Sequence, residues 1–288
     1  MASTISKAFV EQFKANVIHL AQQQGDRLRG CVTSETVKAE KHNFERMDNV
    51  DAIEKTTRHT ATPVLDAPHS RRVLTLKDYQ WADLIDEEDK IRLLISPESE
   101  YAKAGAWAMG RQYDDLIIAA ASADATDGDG NAVTLVSHDT GSHIIAHGSV
   151  GMTIDKILQT KELLDADEND PADMRTLVLG SRQMRDLLNT TEITSSDYTN
   201  VKALVRGEIN DFLGFKIIRS ERLGLATADR TCLAFTKSAI GLGIGRDVIT
   251  RIDPRPDVSY AMQIYLAFTA NATRVHEEGV VEIHCDET

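Results

Sequence analysis

Ser96-Pro-Glu-Ser-Glu-Tyr-Ala-Lys-Ala-Gly-Ala-Trp-Ala-Met-Gly-Arg-Gln-Tyr-Asp-Asp-Leu-Ile-Ile-Ala-Ala-Ala-Ser122 is the stretch on which the reading of this chain turns. Ser96 is a capping residue, Pro97 suits the first helical position, and Glu98 and Glu100 favour the positive end of the helix dipole. No further proline interrupts the pattern, which predicts one helix from Pro97 to Ser122, about 39 Å long at ~1.5 Å per residue. Ala102, Ala106, Met109, Tyr113, Leu116 and Ala120 recur at spacings of four and three and form one stripe. Its residues are mostly small, so the helix is expected to lie close against a sheet or another helix. Ala106 is then a point where added bulk destabilises. The helix ends in Asp124-Ala-Thr-Asp-Gly-Asp-Gly-Asn131, a turn-rich run leading to an apolar strand at Val133–Val136.

Upstream, the first ~55 residues carry no strong core pattern. Phe9, Phe13, Val17 and Leu20 are near helical spacing, and Lys38-Ala-Glu-Lys-His-Asn-Phe-Glu-Arg46 is charged and of low complexity. This segment is expected to be an arm that orders on a partner surface. Thr56–Gln80 differs: Thr60, Thr62, Val64 and Leu65, then Val73 to Leu76, predict two extended arms joined around Asp66–Ser70. Between Lys55 and Gln80 there are five Lys/Arg against two acids, in a chain of net charge -13. A basic hairpin with so few large apolar residues makes no core of its own.

Downstream, Thr153–Leu164 is predicted helical, Thr176–Leu179 a short buried strand, Ser181 the cap of a helix through Leu188, and Val201–Phe212 a further helix. Strand patterns follow at Phe215–Ile218, Cys232–Phe235, Val248–Ile252, Tyr260–Phe268 and Val280–Cys285. Helices and strands do not alternate regularly, so the class is α+β and not a doubly wound sheet.

The composition excludes several functions. No stretch approaches the ~18–20 apolar residues of a membrane span, and Met1–His19 lacks the uninterrupted apolar run of a signal peptide. Cys31, Cys232 and Cys285 are odd in number and far apart, as expected of buried free thiols. Acids cluster at Asp83, Asp86, Glu87, Glu88 and Asp89, and again at Asp165, Asp167, Glu168, Asp170 and Asp173. Both clusters are read as solvated helix ends or loops, or as an interaction surface.

Motifs that resemble chemistry are weak. Asp139-Thr-Gly-Ser142 matches the aspartic-protease signature, which requires two carboxylates and hence a dimer, but it is four common loop residues. Asp127, Asp129 and Asn131 open like a calcium loop, yet Ala132 stands where glycine is needed and His138 where the closing glutamate belongs. His138, His143 and His147 have no spacing that converges on zinc. Gly241-Leu-Gly-Ile-Gly245 sits in an apolar run and reads as a closely approached strand rather than a dinucleotide loop. No catalytic, cofactor or metal residues are assigned.

Two longer stretches carry a family resemblance: Arg58-His-Thr-Ala-Thr-Pro-Val-Leu-Asp-Ala-Pro-His-Ser-Arg-Arg72 with Tyr79-Gln-Trp-Ala-Asp-Leu-Ile-Asp86, and Tyr101-Ala-Lys-Ala-Gly-Ala-Trp-Ala-Met-Gly-Arg-Gln-Tyr-Asp-Asp115. Thr194–Tyr198, Gly207–Phe215 and the tail from Asp253 to Cys285 continue it. The order of segments resembles the major capsid proteins of tailed bacteriophages, whose shell fold is shared with herpesvirus capsids and encapsulin nanocompartments.

The resemblance implies an N-terminal arm at 1–54, an extended loop at 55–80, and a peripheral domain at 81–149 with a spine helix at 97–122. It implies an axial domain at 150–246, a peripheral return at 247–275 and an axial closing strand at 276–288. It implies no enzyme, but a subunit that self-assembles through hexamers and pentamers into an icosahedral shell around double-stranded DNA. A scaffolding protein, a portal and a decoration protein would be partners. Assembly would take place in the host cytoplasm and the product would be the virion capsid.

Expected subunit-interface residues are Arg58, His59, Arg71 and Arg72 of the loop, the acids Asp83, Glu87, Asp114 and Asp115 on which it would dock, and Arg255 and Asp257 near three-fold contacts. The alternatives are an encapsulin-like nanocompartment shell, told apart by its cargo, a dimeric aspartic hydrolase using Asp139, and a soluble oligomeric adaptor.

Overall fold

The computed structural model describes residues 23–47, 50, 52–58, 64–86, 98–135, 142–167, 169–189 and 211–287. Phe9, Phe13, Val17 and Leu20, residues 201–210 of the predicted helix Val201–Phe212, the Asp139 motif, His138, the acids at 87–89 and Glu168 lie outside or largely outside the described residues.

In chain order the strands before the long helix are β1 (Thr33–Thr36), β2 (Lys41–Met47), β3 (His69–Thr75) and β4 (Lys77–Ile85). Helix α1 (Glu98–Ser122) is followed by β5 (Ala125–Thr126), β6 (Ala132–Val133) and β7 (Ile144–Ile145). Then come α2 (Ile154–Ala166), β8 (Arg175–Leu179), α3 (Ser181–Asn189), β9 (Asp211–Phe212) and β10 (Phe215–Arg219). The chain ends with β11 (Leu225–Ala226), β12 (Asp229–Thr236), β13 (Ile240–Arg255), β14 (Ala261–Arg274) and β15 (Val280–Asp286). It divides into two compact units: residues up to Asp26 with Asp78–Gln112 and Arg246–Thr269, and Arg27–Lys77 with Tyr113–Gly245 and the chain from Ala270 on.

In the second unit a mixed sheet runs β7-β15-β12-β8-β10-β9, with β11 beside β12. β8 is parallel to β10 and antiparallel to β12. All five residues of β8 are buried, as a strand with neighbours on both edges and cover on both faces must be. Leu177, Phe215, Phe235, Val280 and Ile283 fill the core, with Ile157 and Leu164 of α2 and Leu187 of α3. Thr153 caps α2 by accepting from the Lys156 N–H. Lys156 itself is buried, and its ammonium donates to the carbonyls of His147, Val150, Gly151 and His284 at 2.8–3.1 Å. This folds the turn at 147–151 around one side chain. Leu213-Gly214, both at positive φ (52° and 88°), make the tight turn between β9 and β10.

Of the acids from Asp165 to Asp173, Asp165 and Asp170 are exposed, as a solvated helix end and loop should be, but the Asp167 side chain is buried. Asp165 pairs with Arg175 at 2.7 Å, buried Asp167 meets fully buried His143 at 2.8 Å, and Asp173 accepts from the Ser238 N–H and hydroxyl. Asp127 accepts from the Asp129 and Asn131 N–H groups and from the Asn131 amide, and closes the β5–β6 turn. Those Asn131 bonds hold its pKa below the ordinary carboxylate value. The three cysteines are free and buried.

Three expectations need correcting. The hairpin does not fold back at Asp66–Ser70: β2 pairs antiparallel with β3, Lys41 opposite Thr75 and Met47 opposite His69. Phe44 and Leu74 of the two strands share one small core with Val275, an anchor hidden in the sequence because Phe44 is a lone apolar residue among polar and charged ones. For the same reason, residues 27–47 are not a free arm. Leu28, Cys31, Val32 and Val37 are buried, and β1 lies parallel to β13, Thr33 opposite Gly241 and Thr36 opposite Ile244. The close approaches expected in 241–245 are real: Phe44 packs on Gly241, Leu74 and Val37 on Gly243. Phe212, expected at a helix end, lies in β9.

The third correction concerns the spine. Met109, Tyr113, Leu116 and Ala120 face inward as predicted, but Ala106 is exposed. The helix turns its glycines inward at this end. A Cβ on Gly105 would come within 2.7 Å of Trp81 and 2.8 Å of Leu266, and one on Gly110 within 2.6 Å of the Gly25 backbone. At its other end, fully buried Arg274 donates to the carbonyls of Ala121, Ala123 and Val133. It thereby satisfies acceptors that every helix leaves open at its C-terminus. Gly105→Ala is therefore expected to cost about 1–3 kcal/mol, while Ala106→Leu stays within about 0.5 kcal/mol of the parent. Urea denaturation of the two variants side by side checks this.

Candidate subunit interface

The ribbon β2–β3 is fixed at its root by charge as well as by Phe44 and Leu74. Glu277, 5% exposed, accepts from Arg72 at 2.8 Å and from Arg46. Arg46 also pairs with Glu278. Met47 and His69 end the paired strands. In the chain between them Val50, Ile53, Val64 and Leu65 are exposed, as is Met47, and Val64 is 87% exposed. Arg58 is exposed there too. Apolar side chains left in water in one short segment mark a surface that another molecule covers.

A second exposed apolar group lies on the hairpin of β13 and β14, where Ile249, Ile252, Val258 and Tyr260 are exposed. Arg255 and Asp257 pair with each other across its turn. The guanidinium holds the Asp257 pKa below the ordinary value. Ser259 and Tyr260 both sit at positive φ, 47° and 59°, a conformation that costs an L-residue about 1–2 kcal/mol.

The structure divides the sequence-predicted interface residues. Arg72 is 7% exposed and bound to Glu277, so it holds its own subunit together and is not a docking residue. Asp114 is fully buried and accepts from the Arg27 and Leu28 N–H groups at 3.0 Å, which ties the N-terminal segment to α1. Asp115 pairs with Arg222 of the same subunit. The Arg72 and Asp114 assignments are corrected, since both groups are buried on partners far away in sequence, whereas Asp115 is partly exposed. Arg71, half exposed, faces its cross-strand neighbour Glu45 at 3.2 Å. Asp83 accepts from the Leu84 N–H. His59 and Glu87 lie outside the described residues. The sequence reading missed the exposed apolar residues of the loop, whose only signal is Val64-Leu65 between prolines.

A subunit with a spine helix, a mixed-sheet core and a ribbon ending in exposed apolar residues is built to be covered by others, as shell proteins are. The family model of the phage capsid protein matches residues 5–287, and the chain belongs to that family. No curated protein matches it. The capsid structure of cyanophage P-SCSP1u is 14% identical, with 100% of this chain and 96% of that chain covered and a TM-score of 0.75. A structure from Mycobacterium phage Che8 is 18% identical (96% and 97% covered, TM-score 0.70). The capsid of a native GTA particle is 12% identical (97% and 96% covered, TM-score 0.73). At these identities the likeness is one of fold.

Two outcomes follow for the ribbon root. Glu277→Ala strands Arg72 without its buried carboxylate and should lose about 3–5 kcal/mol, with Glu278→Ala, whose carboxylate is more exposed, losing less; denaturant midpoints separate the two. His276 sits beside this cluster, and burial first, then Arg46, keeps its pKa below 6.5. The unfolded chain takes up a proton near ~6.5 that the folded chain refuses. Stability should therefore fall as pH drops below that value, and His276→Asn should flatten the slope of the unfolding free energy against pH.

Proposed function

We propose that copies of this phage capsid protein assemble through hexamers and pentamers into a closed icosahedral shell enclosing the double-stranded DNA of a tailed phage. The observation that carries the reading is the exposure of Met47, Val50, Ile53, Val64 and Leu65 beyond the paired strands of a ribbon anchored by Glu277. Such a segment is stable only when a neighbour covers it, and a ring of identical subunits supplies that neighbour at every position. The intersubunit contacts then exceed the ~2,000 Å² typical of obligate interfaces.

In this reading α1 is the spine of a peripheral domain, the sheet built on β8 is the axial domain, and the extended loop runs from Lys41 to Thr75. Arg58, Arg71, Asp83, Asp115, Arg255 and Asp257 remain interface residues, the last two at contacts between capsomers. His59 and Glu87 complete the set on sequence grounds. A scaffolding protein and a portal act during assembly in the host cytoplasm, and a decoration protein binds afterwards. The role is structural rather than catalytic.

Negative-stain microscopy and sedimentation of the purified protein, with and without co-expressed scaffold, test this. Closed particles are expected, and a strictly monomeric protein at micromolar concentration in both conditions overturns the reading. Ile53→Asp combined with Val64→Asp should abolish particles. The denaturation midpoint of the subunit should move by no more than about 0.5 kcal/mol equivalent, because both side chains are exposed.

A further inference from the structure

Among the described residues, one edge of β13 is covered only at its start. β14 lies along one side, while on the other β1 reaches only Gly241–Ile244. Among the described residues no strand lies against that edge from Gly245 onward. Three observations identify which residues aim their backbone groups at it. Ile244 gives its carbonyl to Val37 on the β1 side at 2.9 Å, and alternate residues of a strand share an edge. Arg246, Val248, Thr250 and Ile252 therefore follow. The Val248 N–H donates to the Asp247 carboxylate at 2.8 Å. Pro254, next in the same series, has no N–H to offer, and proline in a sheet is confined to edges.

The segment Arg246-Asp-Val-Ile-Thr-Arg-Ile252 is its own complement when a second copy runs antiparallel to it about Ile249. The hydrogen-bonded pairs are then Arg246 with Ile252 and Val248 with Thr250, the four residues that face the open edge. The pairs between them, where side chains approach closest, set Asp247 opposite Arg251 twice and Ile249 opposite itself. Neighbouring registers lack this match. A dyad at Thr250 opposes Asp247 to Asp253, and a dyad at Arg251 opposes that arginine to itself. Arg246, Arg251, Ile249 and Ile252 are all exposed in the subunit.

We propose that the β13 edges of two subunits pair across a two-fold axis through Ile249, joining two sheets into one. The inference rests on the reading that the chain builds a shell. Asp247 serves twice: it caps the open edge in the free subunit and meets the second copy's arginine in the assembly. Seven residues a side form a small contact, below the ~1,000 Å² of a stable interface. The pairing therefore forms between subunits held by other contacts, not in solution dimers.

The test is a charge exchange scored by particle yield on a sucrose gradient. Asp247→Arg and Arg251→Asp, each alone, should cut the yield at least tenfold, and the two combined should restore it to within twofold of the parent. A second measurement uses Ile249→Cys in shells oxidised with copper phenanthroline, where disulfide-linked dimers are expected, while Thr250→Cys, on the opposite face, gives none. Single variants that assemble like the parent, a combined variant that does not recover while keeping the parental melting temperature, or intact Ile249→Cys shells without dimers each overturn the pairing. If the unaltered chain forms no particles, it is the shell reading that falls.

Discussion

Glu277 carries two guanidinium groups, Arg72 and Arg46, at the root of a ribbon that, among the described residues, is two-stranded and meets further β structure only at the Arg72–Asp127 bridge. An isolated hairpin is marginal in water. Here the ribbon is held by that buried carboxylate and by Phe44 and Leu74 packed with Val275. Glu277 and Val275 both belong to the short connection between β14 and β15. The loop is thus fastened to the part of the chain that also closes the mixed sheet. A ribbon anchored at one end can present apolar side chains at the other without pulling its own subunit apart.

The two exposed regions differ in kind. The loop offers side chains, with Val50, Ile53, Val64 and Leu65 in water. The outer part of β13 offers backbone, on which the Asp247 carboxylate accepts from the next N–H. β4, the other edge of the same sheet, carries the same device at Asp83 and Leu84. Acidic side chains at edges hinder casual strand addition, so a subunit can stay soluble until the intended neighbour arrives.

Much of this was legible in the sequence, and the failures have physical causes. The spine helix was legible because cap, proline and dipole signals coincide at one end and the apolar spacing is continuous. The inward face of its first half was not, because Gly105 packs closer than any alanine yet counts as no apolar residue in a periodicity. β8 and β15 were legible as short apolar runs. The ribbon was misplaced because its pairing is set by Phe44 and Leu74, thirty residues apart, and Phe44 stands alone among polar and charged residues. Asp114 and Arg72 were misassigned because a sequence shows a charge but not whether the fold brings a partner: Asp114 meets two N–H groups of residues 27 and 28, and Arg72 meets Glu277.

Lys156 gives the turn at 147–151 a property that its surface counterparts lack. Four carbonyl oxygens around one ammonium form the kind of cage that would otherwise hold an alkali ion. Because the cation is tethered to α2, it cannot be diluted away or exchanged. Its burial also removes it from the ionic screening that weakens an exposed pair such as Arg255 and Asp257. The turn stays closed at low and high ionic strength alike, whereas contacts built from exposed charges loosen as salt rises.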